Sequence, residues 1–167
     1  MKENIYILKM GGTIEFIDQA YDKINKEMMK LDSSVDSYLE NVIKPHFEFK
    51  IKGVCDKDSR DISSEDRKSL LKEIQETESE NILITHGTFT MVETAKYLDE
   101  NYKGNKKIIL TGSMVPVVGF SSSDGLFNLG YSIASFKSIA AGVYIAMNGG
   151  LFKYNEVEKN TELLRFE

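Results

Sequence analysis

The stretch Ile5-Tyr6-Ile7-Leu8-Lys9-Met10-Gly11-Gly12-Thr13-Ile14 decides how the chain is read. An apolar run from Ile5 to Met10 breaks on two glycines and then presents a hydroxyl. The same grammar returns at Ile82 to Ile84, followed by Thr85-His86-Gly87-Thr88-Phe89-Thr90. Each reads as a buried strand whose end turns sharply, because glycine accepts backbone conformations closed to other residues. Each turn leaves a threonine where a ligand can approach. Two such loops in one small chain predict a pocket built around Thr13 and Thr88.

Working outward, the pattern predicts strands at about 4–10, 47–55, 81–86, 106–111 and 142–147. Helices are predicted at about 33–43, 64–77, 90–101 and 124–137. Ser63 with Asp66 fits a capping box ahead of Leu70, Leu71 and Ile74. Ser123 and Asp124 are candidate caps for the helix carrying Leu126, Phe127, Leu129, Ile133 and Phe136. Apolar strands alternating with amphipathic helices predict one α/β domain with a flavodoxin-like, mostly parallel sheet covered on both faces. The polar segment 15–32 reads as a flap or short hairpin.

Length and composition bound the rest. The 167 residues suffice for one domain with a proper core. A net charge of -5 and a pI near 5.2 leave no basic footprint for nucleic acid. No apolar run approaches the ~18 residues of a membrane span, and the first residues do not resemble a signal peptide. The one cysteine, Cys55, has only His46 and His86 beside it, so neither an internal disulfide nor a zinc site is expected. A cytoplasmic protein without a cofactor is the expectation.

Ligands of open α/β sheets bind beyond the carboxyl ends of the strands. That rule gathers the loops 11–14, 56–61, 86–89 and 111–116 into one polar crevice lined by Thr13, Ser59 and Thr88. Each feature also has a plainer reading. Gly11-Gly12-Thr13 alone is more often only a turn. Thr88 fits a helix-capping threonine, and His86 a hydrogen-bonded structural histidine. The run Asp56 to Asp61 fits a solvated charged segment. Lys159, between Glu158 and Asn160, fits a surface lysine. Neither G-x-x-x-x-G-K-[ST] nor G-x-G-x-x-G occurs, so nucleotide binding is unsupported.

In order, these loops resemble the motifs of the L-asparaginase family. Gly11-Gly12-Thr13-Ile14 resembles T-G-G-T-I, with Met10 in place of the first threonine. His86 to Met91 with Glu93-Thr94-Ala95 resembles H-G-T-D-T-M-x-E-T-A. Thr111-Gly112-Ser113-Met114-Val115-Pro116 resembles T-G-[AS]-M-x-P, and Ser123 to Leu129 resembles S-D-G-x-x-N-L. Gly142-Val143-Tyr144 through Met147-Asn148 is similar to G-V-x-x-x-M-N. The resemblance covers the family's N-terminal domain. The ending Lys159-Asn160 to Arg165-Phe166-Glu167 is similar to that of short, single-domain members, so a natural full length over 1–167 is expected.

The resemblance implies an amidohydrolase acting on the side-chain amide of L-asparagine. Thr13 would be the nucleophile, with Thr88 and Lys159 as the activating pair. Ser59 would hold the substrate α-carboxylate, and Tyr21 is the candidate for an assisting flap tyrosine. Phe89 departs from the family, which has an aspartate there that grips the substrate α-amino group and partners the lysine. Activity on L-asparagine is therefore expected to be weakened. The rival readings are an amidase for a substrate without an α-amino group and a non-catalytic small-molecule binding protein on the same fold. A homo-oligomer is also implied.

Overall fold

The computed structural model describes residues 4–15, 35–115 and 123–167. Six strands form the main sheet: β1 (Asn4–Gly11), β2 (Glu48–Lys57), β3 (Asn81–Thr85), β4 (Lys107–Thr111), β5 (Gly142–Met147) and β6 (Gly150–Phe152). Their order is β2-β1-β3-β4-β5-β6. The first five run parallel, and β6 turns back antiparallel on β5. The parallel part has the flavodoxin-like order, whose ligands sit between β1 and β3, where successive connections leave in opposite directions.

Residues along β3 show how the sequence builds two layers. Ile82 and Ile84 belong to the core on one face, while Leu83 points into the core on the other. Strand geometry alternates side chains between faces, so a strand buried on both sides must be apolar throughout. The first face is closed by α2 (Ser64–Glu76) and α3 (Met91–Asn101), through Leu70, Ile74, Met91, Ala95 and Leu98. The second is closed by α1, described over Val35–Ser37 and Tyr38–Ile43, and by α4 (Gly125–Ser135), through Val35, Leu39 and Leu129.

The start of α2 follows the sequence. Ser63 accepts from the Asp66 amide while the Asp66 carboxylate accepts from the Ser63 amide, a complete capping box. The described part of α1 is wound differently from the expected α-helix. Past Ser37 it continues as a π-helical stretch, Tyr38–Ile43, closed by Lys44 in the left-handed region (φ 48°), whose amide donates to the Leu39 carbonyl. Asp124 does not cap α4. Its carboxylate accepts from the Met114 and Val115 amides and from the Ser113 hydroxyl, so it holds the loop after β4 instead. Ser123 supplies the local contact, accepting from the Gly125 amide.

Two elements were not anticipated. β6 follows β5 through Asn148 and Gly149, both at positive φ (53° and 76°), the backbone that a two-residue hairpin requires. A small antiparallel pair, β7 (Lys159–Asn160) and β8 (Arg165–Phe166), then closes the described chain. The expected flap at 15–32 lies outside the described residues, apart from Glu15, which ends a 3₁₀ turn.

Candidate active site

Glycine brings the loops beyond β1, β2 and β3 into contact. Gly12 has φ 87°, and a Cβ there would stand 2.3 Å from the Gly87 amide nitrogen. Only a residue without a side chain permits that approach, so the Thr13 turn and the Thr88 loop touch backbone to backbone. The Gly12 amide also donates to the Lys57 carbonyl at 3.1 Å. On the other side of the joint, a Cβ at Gly87 would meet the Ser59 hydroxyl at 2.6 Å. Thr13, Ser59 and Thr88 are thereby carried on three abutting loops at the switch point of the sheet.

Lys159 reaches this point from β7. Its Nζ donates to the Thr88 Oγ1 at 2.8 Å, joining residues 71 positions apart. It also lies 3.5 Å from the centroid of the Phe89 ring. The plain readings of Lys159 as a surface lysine and of Thr88 as a helix cap therefore give way. Thr90 occupies the cap position of α3, and its hydroxyl donates to the Ser59 carbonyl at 2.6 Å rather than capping the helix. Ser59 is 2% exposed, and its hydroxyl accepts from the Phe89 amide at 3.2 Å. Ser59 is thus buried under the Phe89 loop, while Asp56, Arg60 and Asp61 of the same run stay exposed, as a solvated charged segment requires. Phe89 itself is 56% exposed.

The positions of these groups set their charges. Burial lowers the Lys159 pKa, and the neighbouring Arg60 lowers it further, while Asp58 pulls the other way. Asp58 is held near pKa 2 by its side-chain pairing with Arg60. Nε and Nη2 of Arg60 donate to the two Asp58 oxygens at 2.9 and 2.8 Å. His86 fits the structural reading. It is fully buried, with Nδ1 2.7 Å from the Gly87 carbonyl and Nε2 2.9 Å from the Thr94 hydroxyl. Burial pushes its pKa down to about 4, so it is neutral and orients the Gly87 turn. Tyr21 lies outside the described residues. Among the described residues no three His, Cys, Asp or Glu side chains converge as metal ligands.

Several supporting groups escaped the sequence reading. Lys9 pairs with Glu15 at 3.2 Å and with Asp36 at 2.8 Å, tying the Thr13 turn to β1 and α1. The Glu15 oxygens make no aligned hydrogen bond, and neither does the buried Thr85 hydroxyl. Burial raises the Glu15 pKa against the opposing pull of its neighbours. Arg60 lies 4.9 Å from the Phe89 centroid, forming a cationic lip with Lys159. Asn128, fully buried, donates to the Gly112 carbonyl and accepts from the Asn148 amide. Asn148 in turn accepts from the Phe166 amide, and Phe166 pairs with Lys159 across the β7–β8 hairpin. The only advance signal was the asparagine in each of two motifs, which says nothing of what it joins.

No described helix is long and apolar enough to cross a membrane. The chain is 34% identical, over 95% of its length, to a protein named probable L-asparaginase periplasmic from Haemophilus influenzae, of which it covers 46%. It is 31% identical to L-asparaginase 2 of Escherichia coli, covering 93% of this chain and 46% of that one. A crystal structure of the probable cytoplasmic L-asparaginase from Campylobacter jejuni superposes with a TM-score of 0.74 at 29% identity, covering 95% of this chain and 48% of that one. The chain thus spans about half the length of these relatives. The family described as Asparaginase, N-terminal matches residues 4–163, most of the sequence, and the chain belongs to the asparaginase family.

Proposed function

We propose that the protein is an asparaginase-like amidohydrolase that releases ammonia from a side-chain amide through a threonine nucleophile. The observation that carries this reading is the 2.8 Å contact between Lys159 Nζ and Thr88 Oγ1, beside the loop of Thr13. A hydroxyl is a weak nucleophile at neutral pH and needs a base within reach. Lys159 serves once it is neutral, and the direction of its pKa shift favours that form. The contact then reverses, and the amine accepts from the Thr88 hydroxyl.

In the proposed first step the Thr13 hydroxyl oxygen attacks the amide carbonyl carbon. The proton of Thr13 passes by way of Thr88 to the Lys159 amine and returns to the leaving nitrogen. The C–N bond breaks, ammonia departs, and an ester to Thr13 remains. Water then attacks that ester, giving the carboxylic acid and restoring Thr13. The substrate is a small amide, and the names of the relatives point to L-asparagine. The chemistry calls on no cofactor. The same reading carries a cytoplasmic homo-oligomer, whose mass sedimentation velocity would measure.

The deciding experiment is ammonia release by the intact protein and by Thr13→Ala. Turnover should vanish in the variant while its far-ultraviolet circular dichroism stays unchanged. Undiminished ammonia release from Thr13→Ala would remove Thr13 from the role of nucleophile.

A further inference from the structure

We propose that Phe89 and Arg60 select an amide whose remote end is a carboxylate with no ammonium beside it, the monoamide of a simple dicarboxylic acid. This substrate class rests on the hydrolase reading above. The Arg60 guanidinium lies 4.9 Å from the Phe89 centroid, and the Lys159 amine, the base of the proposed reaction, lies 3.5 Å from it. Two of the acids in these segments have cationic partners of their own. Both oxygens of Asp58 are held by Arg60, and Glu93 pairs with Arg67 at 3.0 Å. Asp61, at the end of the 3₁₀ turn Ser59–Asp61, is exposed to solvent.

Among the described residues, an ammonium entering beside Thr88 would meet the Arg60 guanidinium and, at position 89, a ring in place of a carboxylate that could accept its hydrogen bonds. Like-charge juxtaposition is a means of rejecting a ligand as well as a failure to bind it. A carboxylate meets the opposite situation. Asp58 occupies Nε and Nη2 of Arg60, and the guanidinium keeps the rest of its five N–H donors. The Ser59 hydroxyl accepts from the Phe89 amide, which leaves its own proton to donate. The exposed Phe89 ring offers apolar surface to the methylenes between the two ends of the substrate.

Succinamate is L-asparagine with the α-amino group replaced by hydrogen, so the two compounds isolate the question. Ammonia release and calorimetric binding would be measured for both on the intact chain, with Arg60→Gln and Phe89→Asp alongside. Succinamate should exceed L-asparagine in kcat/KM and in affinity by about tenfold or more, a contrast within reach of one charged contact. Arg60→Gln should lower the succinamate values by about tenfold. Phe89→Asp, which places a carboxylate at the lip, should turn the preference toward L-asparagine. Equal or better binding and turnover of L-asparagine by the intact chain would overturn the proposal. If neither compound releases ammonia, the hydrolase reading fails, and the titration still decides this one. Tighter succinamate would support it, whereas a preference for L-asparagine or no binding of either would end it.

Discussion

Lys159 shows how one neighbouring side chain sets the chemistry of another. The Phe89 face attracts an ammonium, by about 0.5–1 kcal/mol at an exposed site. A carboxylate at the same place would attract it more strongly, by about 4 kcal/mol at 4 Å in a surface-like dielectric before screening. Phe89 therefore leaves the neutral amine within easier reach than an aspartate would. If the neutral amine is the working base, the rate must rise with pH as Lys159 loses its proton, with a midpoint below the ordinary lysine value of 10.5. Phe89→Asp should move that alkaline limb upward, because a carboxylate favours the protonated amine. A pH profile of kcat/KM for both proteins tests this, and coincident profiles would mean that the limb does not report Lys159.

At the scale of elements, the 3₁₀ turn Thr13–Glu15 depends on its attachment to β1. Glu15 is almost wholly buried, with a side chain 6% exposed, and Lys9 is its ion-pair partner. Removing one partner of a buried pair leaves an uncompensated charge, which costs more than the pair itself contributes. Lys9→Met should destabilise the protein by about 2–3 kcal/mol at pH 7, somewhat below the full buried-pair range because Lys9 is partly exposed. The sign with pH follows from the raised Glu15 pKa. A folded-state pKa above the unfolded one favours protonation in the fold, so the penalty should shrink as pH falls toward 5. Adding Glu15→Gln should recover most of the loss. Urea unfolding of the intact protein and both variants at pH 7 and pH 5 tests both points, and a pH-independent penalty would show that Glu15 is not the orphaned charge.

For the molecule as a whole, the buried His86 ties acid stability to the geometry of the site. Its pKa in the fold is about 4, below its ordinary value of 6.5. Between those values the unfolded chain takes up a proton that the fold refuses. Stability from this group is full above pH 6.5 and is lost as pH falls through that window. The loss from pH 7 to pH 5 should be about 2 kcal/mol. Asp58 and Asp66, each held near pKa 2 by its pairings, remain ionised throughout and add little. The loss should be absent from His86→Gln, which can retain the contacts to Gly87 and Thr94. An equal loss in that variant would assign the acid sensitivity to another group.

The sequence by itself determined the sheet. Ile82, Leu83 and Ile84 in unbroken succession require a strand buried on both faces, and the Ser63–Asp66 spacing marks the start of α2 within a residue. These are local matters, settled by side-chain periodicity and by hydrogen bonds between residues three apart. Gly11-Gly12-Thr13 and His86-Gly87-Thr88 were legible as paired loops for the same reason. The Asn148-Gly149 turn was legible too, because its backbone preference is local, but β6 was not read from it. Tertiary structure alone decided the rest. Lys159 touches Thr88 across 71 residues, and no pattern within one segment encodes a contact between two. The burial of Glu15 against Lys9, the Asp124 carboxylate turned to the loop after β4, and Arg60 beside Phe89 share that cause. Charge and solvation belong to the space around a side chain, and that space exists only once distant strands have packed.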